Sequence, residues 1–415
     1  MAMETTGCVV VGGGSAGMML GLLLARAGVN VTVLEKHADF FRDFRGDTVH
    51  ASTIRLIDEL GLGEEFRRLP QSRLNTVAFP VPGGPPVTMG NFDSLPPPYN
   101  YVAMMPQWDF LNFLADAAAA EPSFRLRMNH AATGLVRNGG RVTGVRYKTA
   151  EGTVGELRAN LVVATDGRRS ALRREAGLAP KEFRVPFDTW WFRLPRYASE
   201  SGAIAGIVPA FGRGEALIAL NRTDYYQMGY LAPKGAAARI RAEGVEGFRR
   251  RIAALRPDLA DRMEAIASLE DLHWLDVRLD RLRQWHVNGL RCIGDAAHAM
   301  SPAGGVGINL AIQDAVAAAD ALAPALLRGR VSREDLAKVQ RRRQLPTVIV
   351  QAVQRTMHRL VFEPIMTGKR SGAPAVLLAV GRRIPVIGGV LPRFVAFGPR
   401  PEHAPAFARR APARS

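Results

Sequence analysis

Apolar residues fall in short runs, and the period of those runs changes along the chain. Residues 7–11 are a β-rich apolar run, residues 18–27 carry helical spacing, and residues 29–35 alternate as a second strand that ends in an acid. A helical pattern at 51–60 is closed by Gly61, and another starts at Gln107 and ends in an alanine run near 120. Residues 124–161 read as short strands with turns at Asn138-Gly139-Gly140 and Glu151-Gly152, a β-meander. The runs 161–165 and 290–293 read as buried strands. Residues 74–101 are rich in Pro and Gly around alternating apolar positions, and two aromatic strand patterns occupy 187–194 and 221–231. Helices then run from about 310 to 361, and the tail alternates apolar patches with Arg and Pro. This order predicts an α/β chain. One unit is expected from 1–75, 101–180 and 275–345, and an inserted mixed-sheet unit from 76–100 and 181–274. Residues 346–415 form a C-terminal helical segment whose last dozen residues are expected to be disordered.

Chemistry is concentrated where the strands end. Gly12-Gly13-Gly14-Ser15-Ala16-Gly17 joins the first strand to the first helix and carries G-x-G-x-x-G at Gly12, Gly14 and Gly17. Gly12 permits the tight turn, Gly14 lets a pyrophosphate approach the backbone, and Gly17 lets the helix pack on the strand. Glu35, eighteen residues after Gly17, stands where an acid can bind ribose hydroxyls. The stretch 294–309 repeats the design as strand, carboxylate, Pro/Gly loop and helix N-terminus. Asp295 can accept hydrogen bonds from ligand hydroxyls, and Pro302 fixes the loop. Gly304, Gly305 and Gly307 remove side chains that would block a flat ligand. The helix after Asn309 points N–H groups and partial positive charge at whatever sits there. Such a site suits a polyol chain ending in a planar ring that can become anionic, as a reduced flavin does. A third strand runs into Asp166-Gly167-Arg168-Arg169-Ser170-Ala171-Leu172-Arg173. There Ser170 can cap a helix and Asp166 can brace the loop. For Arg173 a structural role and a pyridine-nucleotide contact stand side by side.

Together these stretches resemble the signatures of the class A FAD-dependent monooxygenases, the aromatic hydroxylases related to para-hydroxybenzoate hydroxylase. They occur in that family's order across residues 7–345. The Asp295 stretch is similar to its GD motif, and Asp166, Gly167, Ser170 and Arg173 match its D-G-x-x-S-x-x-R motif. The resemblance implies a Rossmann-like FAD domain of the glutathione-reductase type, with contacts from Gly12, Gly14, Ser15, Ala16, Gly17, Glu35 and Lys36. Further contacts are implied from Asp166, Asp295, Pro302, Gly304, Gly305, Val306, Gly307, Ile308 and Asn309. Arg45 is implied at the pyrophosphate or ribityl region. Gln107 is implied against FAD, although Pro106 replaces the family's usual Arg. NADPH or NADH would reduce the flavin transiently, without a nucleotide domain of its own. The reduced flavin would then add O₂ as a C4a-hydroperoxide and hydroxylate an electron-rich aromatic or polyketide-like substrate. The flavin carries the chemistry, so no catalytic side chain, substrate-deprotonating base or metal site is identified. Trp190, Phe192, Tyr225 and Gln227 are candidate pocket residues. The alternative within the same superfamily is an FAD-dependent reductase or dehydrogenase that does not activate oxygen. A protein that only sequesters FAD and a hydrophobic ligand is opposed by intact Asp166, Asp295 and Gly304-Gly305. A halogenase is disfavoured by the lack of a W-x-W-x-I-P stretch.

Charge changes this picture little. The chain holds 55 Lys and Arg against 38 Asp and Glu, a formal +17. The arginines are spread out, with denser groups at Arg341-Arg342-Arg343 and in the tail, and no aromatic-rich RNA-binding motif or zinc spacing accompanies them. A basic surface that steers an anionic substrate or NADPH is expected, rather than a nucleic-acid partner. Cys8 and Cys292 lie in apolar runs and read as buried free thiols, which fits a cytoplasmic protein. Residues 5–25 carry no charge, but Gly12-Gly13-Gly14 splits the run and no basic segment precedes it, so a signal or anchor is not expected. No other apolar run is read as spanning a bilayer, and the tail reads as a helical cap or, as the lesser alternative, a weak membrane-surface contact. The expected partners are a small aromatic substrate and O₂, and the protein is expected to be a monomer or dimer.

Overall fold

Residues 4–41, 48–81, 84–200, 207–222, 225–369 and 390–411 are described by a computed structural model. Strand Glu4–Val11 lies inside an eight-stranded sheet, parallel to Val154–Ala164 on one side and Val31–Leu34 on the other. Phe124–Arg127 continues the parallel order beyond Val31–Leu34, and Leu290–Cys292 beyond Val154–Ala164. The register pairs Val11 with both Leu34 and Ala164, and Ala164 with Cys292. These four strands therefore end on one line. The residues that follow, Gly12, Glu35, Asp166 and Asp295, are thrown into the same crevice, where open α/β sheets bind ligands.

Period-two alternation splits the middle strand between two cores. Cys8 and Val10 pack with helices Ser15–Arg26, Gln107–Ala119 and Gly307–Leu327, whereas Val9 and Val11 pack with the meander strands His130–Asn138 and Arg141–Thr149. Cys8 and Cys292 are buried free thiols, as expected. Helix Gly307–Leu327 is long and apolar enough to cross a membrane, but 72% of that window is buried inside the molecule, so it is a core helix.

A second sheet of five strands runs in the order Ile207–Phe211, Ala216–Asn221, Tyr225–Pro233, Phe187–Pro195, His273–Leu275, antiparallel throughout. Trp190 stands opposite Tyr230 and Phe192 opposite Met228. All four pack onto helix Ala237–Leu255 through Phe248 and Ile252. Trp190 and Phe192 are thus core residues, not the pocket residues expected from the sequence. Alternation places Trp191 and Arg193 on the other face instead. Trp191 lies across Gly229, where an added Cβ would come within 2.9 Å of the indole. On that face Trp191, Ile218 and Leu220 meet Phe92, Leu95, Val102, Met104 and Ala396. The hairpin Thr76–Val81 with Gly84–Asn91 runs beside the edge strand Ile207–Phe211.

Helix Arg333–Met357 runs unbroken through Leu345 and Pro346 and continues as a π-helical turn, His358–Phe362, so the boundary expected at 345/346 falls inside one element. Residues 390–411 fold back over the large unit. Glu402 bridges Arg342 and Arg343, the Ala404 N–H donates to Glu59 at 2.7 Å, and Arg26 donates to the Ala408 carbonyl at 2.9 Å. Ala404 and Ala408 are buried. Residues 404–411 are therefore ordered where disorder was expected, because ion pairs and backbone bonds anchor a composition poor in large apolar groups. Residues 412–415 lie outside the described residues.

Candidate active site

The glycines of the first turn serve two different needs. Gly12 has φ +107°, and a Cβ there would lie 2.6 Å from the Thr165 carbonyl oxygen. The Thr165 hydroxyl donates to the Val11 and Gly12 carbonyls at 2.8 and 2.7 Å. A Cβ on Gly17 would sit 1.9 Å from the Gly12 oxygen. Both residues are demanded by the backbone. Gly14 has φ −76° and a Cβ there would meet nothing within 4 Å. It keeps space open in front of helix Ser15–Arg26, whose N-terminus has no side-chain cap. Glu35, fully buried, closes the turn: one carboxylate oxygen accepts the Gly13 N–H at 2.7 Å and the other the His37 N–H at 3.0 Å. Lys36 beside it is exposed. Gln107 starts its helix next to this turn and donates to the Ser15 hydroxyl at 3.3 Å.

Gly294 wedges between the two long helices, with an added Cβ falling 3.3 Å from Ala16 and 3.2 Å from Ala311. The N-termini of Ser15–Arg26 and Gly307–Leu327 thereby face the same crevice. Asp295 follows immediately and pairs with Arg168 at 3.2 Å, which joins the two acidic motifs. Arg173 braces the same junction: it is buried, pairs with Asp280 at 3.2 Å and donates to the Ala296 carbonyl at 3.3 Å. Its role here is structural. Ser170 caps the helix Ala171–Glu175 by accepting the Arg173 N–H at 3.0 Å. Asp166 Oδ2 accepts the Ala171 N–H at 2.9 Å, while its Oδ1 is buried with no protein partner. Burial pushes the Asp166 carboxyl above its ordinary range, against the hydrogen bonds from Ser170, Leu172 and Ala171.

The loop before Gly307 is gripped from both sides. Gly304 and Gly305 have φ of +84° and +63°. A Cβ on Gly304 would meet nothing nearer than Val306 at 3.9 Å, so this position too is open. The Gly305 carbonyl accepts from the Thr48 hydroxyl and lies 2.9 Å from His50 Nε2, while His50 Nδ1 lies 2.7 Å from the Val395 carbonyl. His50 is therefore structural, and burial lowers its pKa against the two carbonyls. On the opposite side Gln354 donates to the Ser301 and Ala303 carbonyls at 2.8 Å each. Asn309 is buried and its oxygen accepts from Ser52 and Thr53. Val306 precedes the uncapped first turn that holds Gly307 and Ile308. Pro302 lies between the two carbonyls that Gln354 holds.

Tyr225 and Gln227 belong to the strand beside Trp191 and Arg193. The Arg193 guanidinium lies 4.6 Å from the Tyr225 ring centre and 5.5 Å from that of Trp108. Gln227 is buried and accepts from Arg222 at 2.6 and 3.0 Å. Arg45 lies outside the described residues. Sequence reasoning missed Thr48, Arg168 as the partner of Asp295, Arg193, Gln354 and His358. Only Gln354 and His358 leave a local signal, the helical spacing of polar residues at 347, 351, 354 and 358.

Two uncapped helix N-termini fronted by open glycines, an acid at the second strand's end, a carboxylate at the fourth and an orphaned buried oxygen on Asp166 fit a dinucleotide with a polyol and a flat ring. Residues 4–356 match the profile of a known family, described as FAD binding domain. The chain belongs to that FAD-binding family. It is 34% identical over 398 residues to the 6-methylpretetramide 4-monooxygenase of Streptomyces rimosus, covering 95% of this chain and 92% of that protein. It is 27% identical to the para-nitrophenol 4-monooxygenase of Pseudomonas sp. strain WBC-3, covering 79% and 80% of the two chains. The anhydrotetracycline hydroxylase of Streptomyces rimosus shares the fold, with a TM-score of 0.74 at 23% identity over 95% of this chain and 76% of that one. This family member is an FAD-dependent monooxygenase of the class A type. Among its described residues, no group of His, Cys, Asp and Glu is arranged to hold a metal ion.

Proposed function

We propose that this monooxygenase hydroxylates a flat, electron-rich phenol of polyketide type, with NADPH or NADH as transient reductant. The observation that carries the substrate class is the joined face of Tyr225, Arg193 and Trp108, which links the five-stranded sheet to the helix beside the dinucleotide turn. A guanidinium set beside two aromatic rings suits a planar, acidic aromatic. The relative named for 6-methylpretetramide, aligned over nearly all of both chains, supports the same class. Residues 76–100 and 181–274 would form the substrate unit, and 1–75, 101–180 and 275–345 the cofactor unit. The protein would be a cytoplasmic monomer or dimer.

Bound FAD supplies electron transfer and oxygen activation. The chain supplies the rest. The Gly14 turn would seat the pyrophosphate, Glu35 the ribose and Asp295 the ribityl chain, and Gly304 would leave room for the ring. The helix starting at Gly307 would favour negative charge on that ring. The sheet face carrying Trp191 would exclude water from it. The test measures NAD(P)H oxidation and O₂ uptake with polycyclic phenols, single-ring phenols and quinones. Polycyclic phenols should stimulate both and gain one oxygen atom. NAD(P)H oxidation without O₂ uptake would instead establish a reductase.

A further inference from the structure

The buried side of helix Arg333–Met357 and its π-helical extension carries a stripe of polar residues. Arg343, Thr347, Gln351, Gln354 and His358 are at most 3% exposed, whereas Leu345, Val353 and Leu360 are 59%, 38% and 45% exposed. The polar residues share the buried side with Leu336, Val339 and Val350, a departure from the usual apolar stripe. Buried polar groups persist only with partners: Arg343 pairs with Asp314 and Glu402, while Gln351, Gln354 and His358 reach the chain leading into the Gly304 loop. Gln351 donates to the Asp280 carbonyl at 2.7 Å. The Gln354 amide donates to the Ser301 and Ala303 carbonyls and accepts the Ser301 N–H at 3.2 Å. His358 Nε2 lies 2.8 Å from the Ser301 hydroxyl, which also accepts the Ala303 N–H at 3.3 Å. A π-helical turn is rare and commonly marks a working part of a fold.

Peptide geometry turns these grips into directions. In a trans peptide the carbonyl and the next N–H point opposite ways. With the Ala303 carbonyl held by Gln354, the Gly304 N–H is directed away from the long helix. With the Gly305 carbonyl held by Thr48 and His50, the Val306 N–H is directed away from those two residues. The two peptide planes flanking Gly304-Gly305 are thus set by side chains from opposite sides.

We propose, building on the FAD site described above, that Gln354 and His358 are positioning residues. They fix the backbone donors offered to the flavin ring and so set FAD affinity and ease of reduction. The test uses wild type, Gln354→Leu and Ser301→Ala, with the last variant removing the hydroxyl that His358 holds. FAD affinity is measured by titrating apoprotein, the flavin midpoint potential by anaerobic dye equilibration, and the melting temperature of each form is recorded. Gln354→Leu should bind FAD at least tenfold more weakly, and its flavin potential should shift negative because the anionic reduced ring loses aligned donors. Ser301→Ala should shift both in the same direction by less. A merely structural role would lower the melting temperature yet leave the potential of the remaining holoprotein unchanged, and that result overturns the proposal. If Gln354→Leu does not fold, an unchanged potential in Ser301→Ala overturns it alone. A wild type with no affinity for FAD would overturn the cofactor site itself, and the proposal with it.

Discussion

Gly17 and Gly14 stand three residues apart in one fingerprint, yet only Gly17 is filled against by backbone. Gly17→Ala forces its Cβ into the Gly12 carbonyl, a clash no side-chain rotation relieves. The apoprotein should melt several degrees lower. Gly14→Ala meets no atom within 4 Å and keeps an ordinary φ, so its apoprotein should melt like wild type while FAD affinity falls at least tenfold. Differential scanning fluorimetry with FAD titration checks both, and equal melting losses would contradict the cradle at Gly14. A second prediction concerns pH. Burial lowers the pKa of His50, His286 and His358, the last to about 4. A base depressed in the folded state leaves the unfolded chain holding more protons, so this stability is full above about pH 6.5 and is lost as pH falls toward about 4. Asp166, raised by burial, works in the opposite direction. Urea midpoints should fall from pH 7 to pH 5, and a rise would contradict the assignment. The fingerprint glycines and strand-end acids were legible because each answers a local backbone or charge demand. The pairing of Arg168 with Asp295 was not, since nothing local to either residue specifies a partner more than a hundred positions away.

Strand parity is a subtler loss. Aromatic alternation from Phe187 to Leu194 shows that a strand exists but not which face is buried against a helix, and a one-residue slip exchanges Trp190 for Trp191. The long helix misleads in another way. Its 3.6 period is plain, but Leu345 and Val353 are exposed while Gln351 and Gln354 are buried beside Leu336, Val339 and Val350, so the rule that apolar means inside does not find the polar contacts. The tail strap behaves like an element despite its composition. Glu402, almost fully buried, holds Arg342 at 2.8 Å and Arg343 at 3.0 Å. Arg343 is completely buried, so Glu402→Ala leaves part of a buried charge unanswered and should cost about 3 kcal/mol. The exposed pair Arg341–Glu334 should be dispensable. Chemical denaturation of Glu402→Ala and Glu334→Ala checks this, and similar small effects would show that the strap adds little.

At the scale of the whole molecule, the common end line of Val11, Leu34, Ala164 and Cys292 brings motifs from four parts of the chain into one crevice. That convergence was legible, because each parallel strand is followed at once by its motif. The substrate side was less so, because the sheet around Trp191 carries no motif and its face is settled only by packing. The proposal of a planar phenol rests on the Tyr225–Arg193–Trp108 face, and the reading of oxygen transfer rests on the monooxygenase relatives. The most direct measurement supplies ¹⁸O₂ and NADPH to the FAD-loaded enzyme with a polycyclic phenol and weighs the product. One ¹⁸O atom should enter each product molecule, with the other released as water. A product without ¹⁸O, or flavin reoxidation with no change in the phenol, would contradict the account.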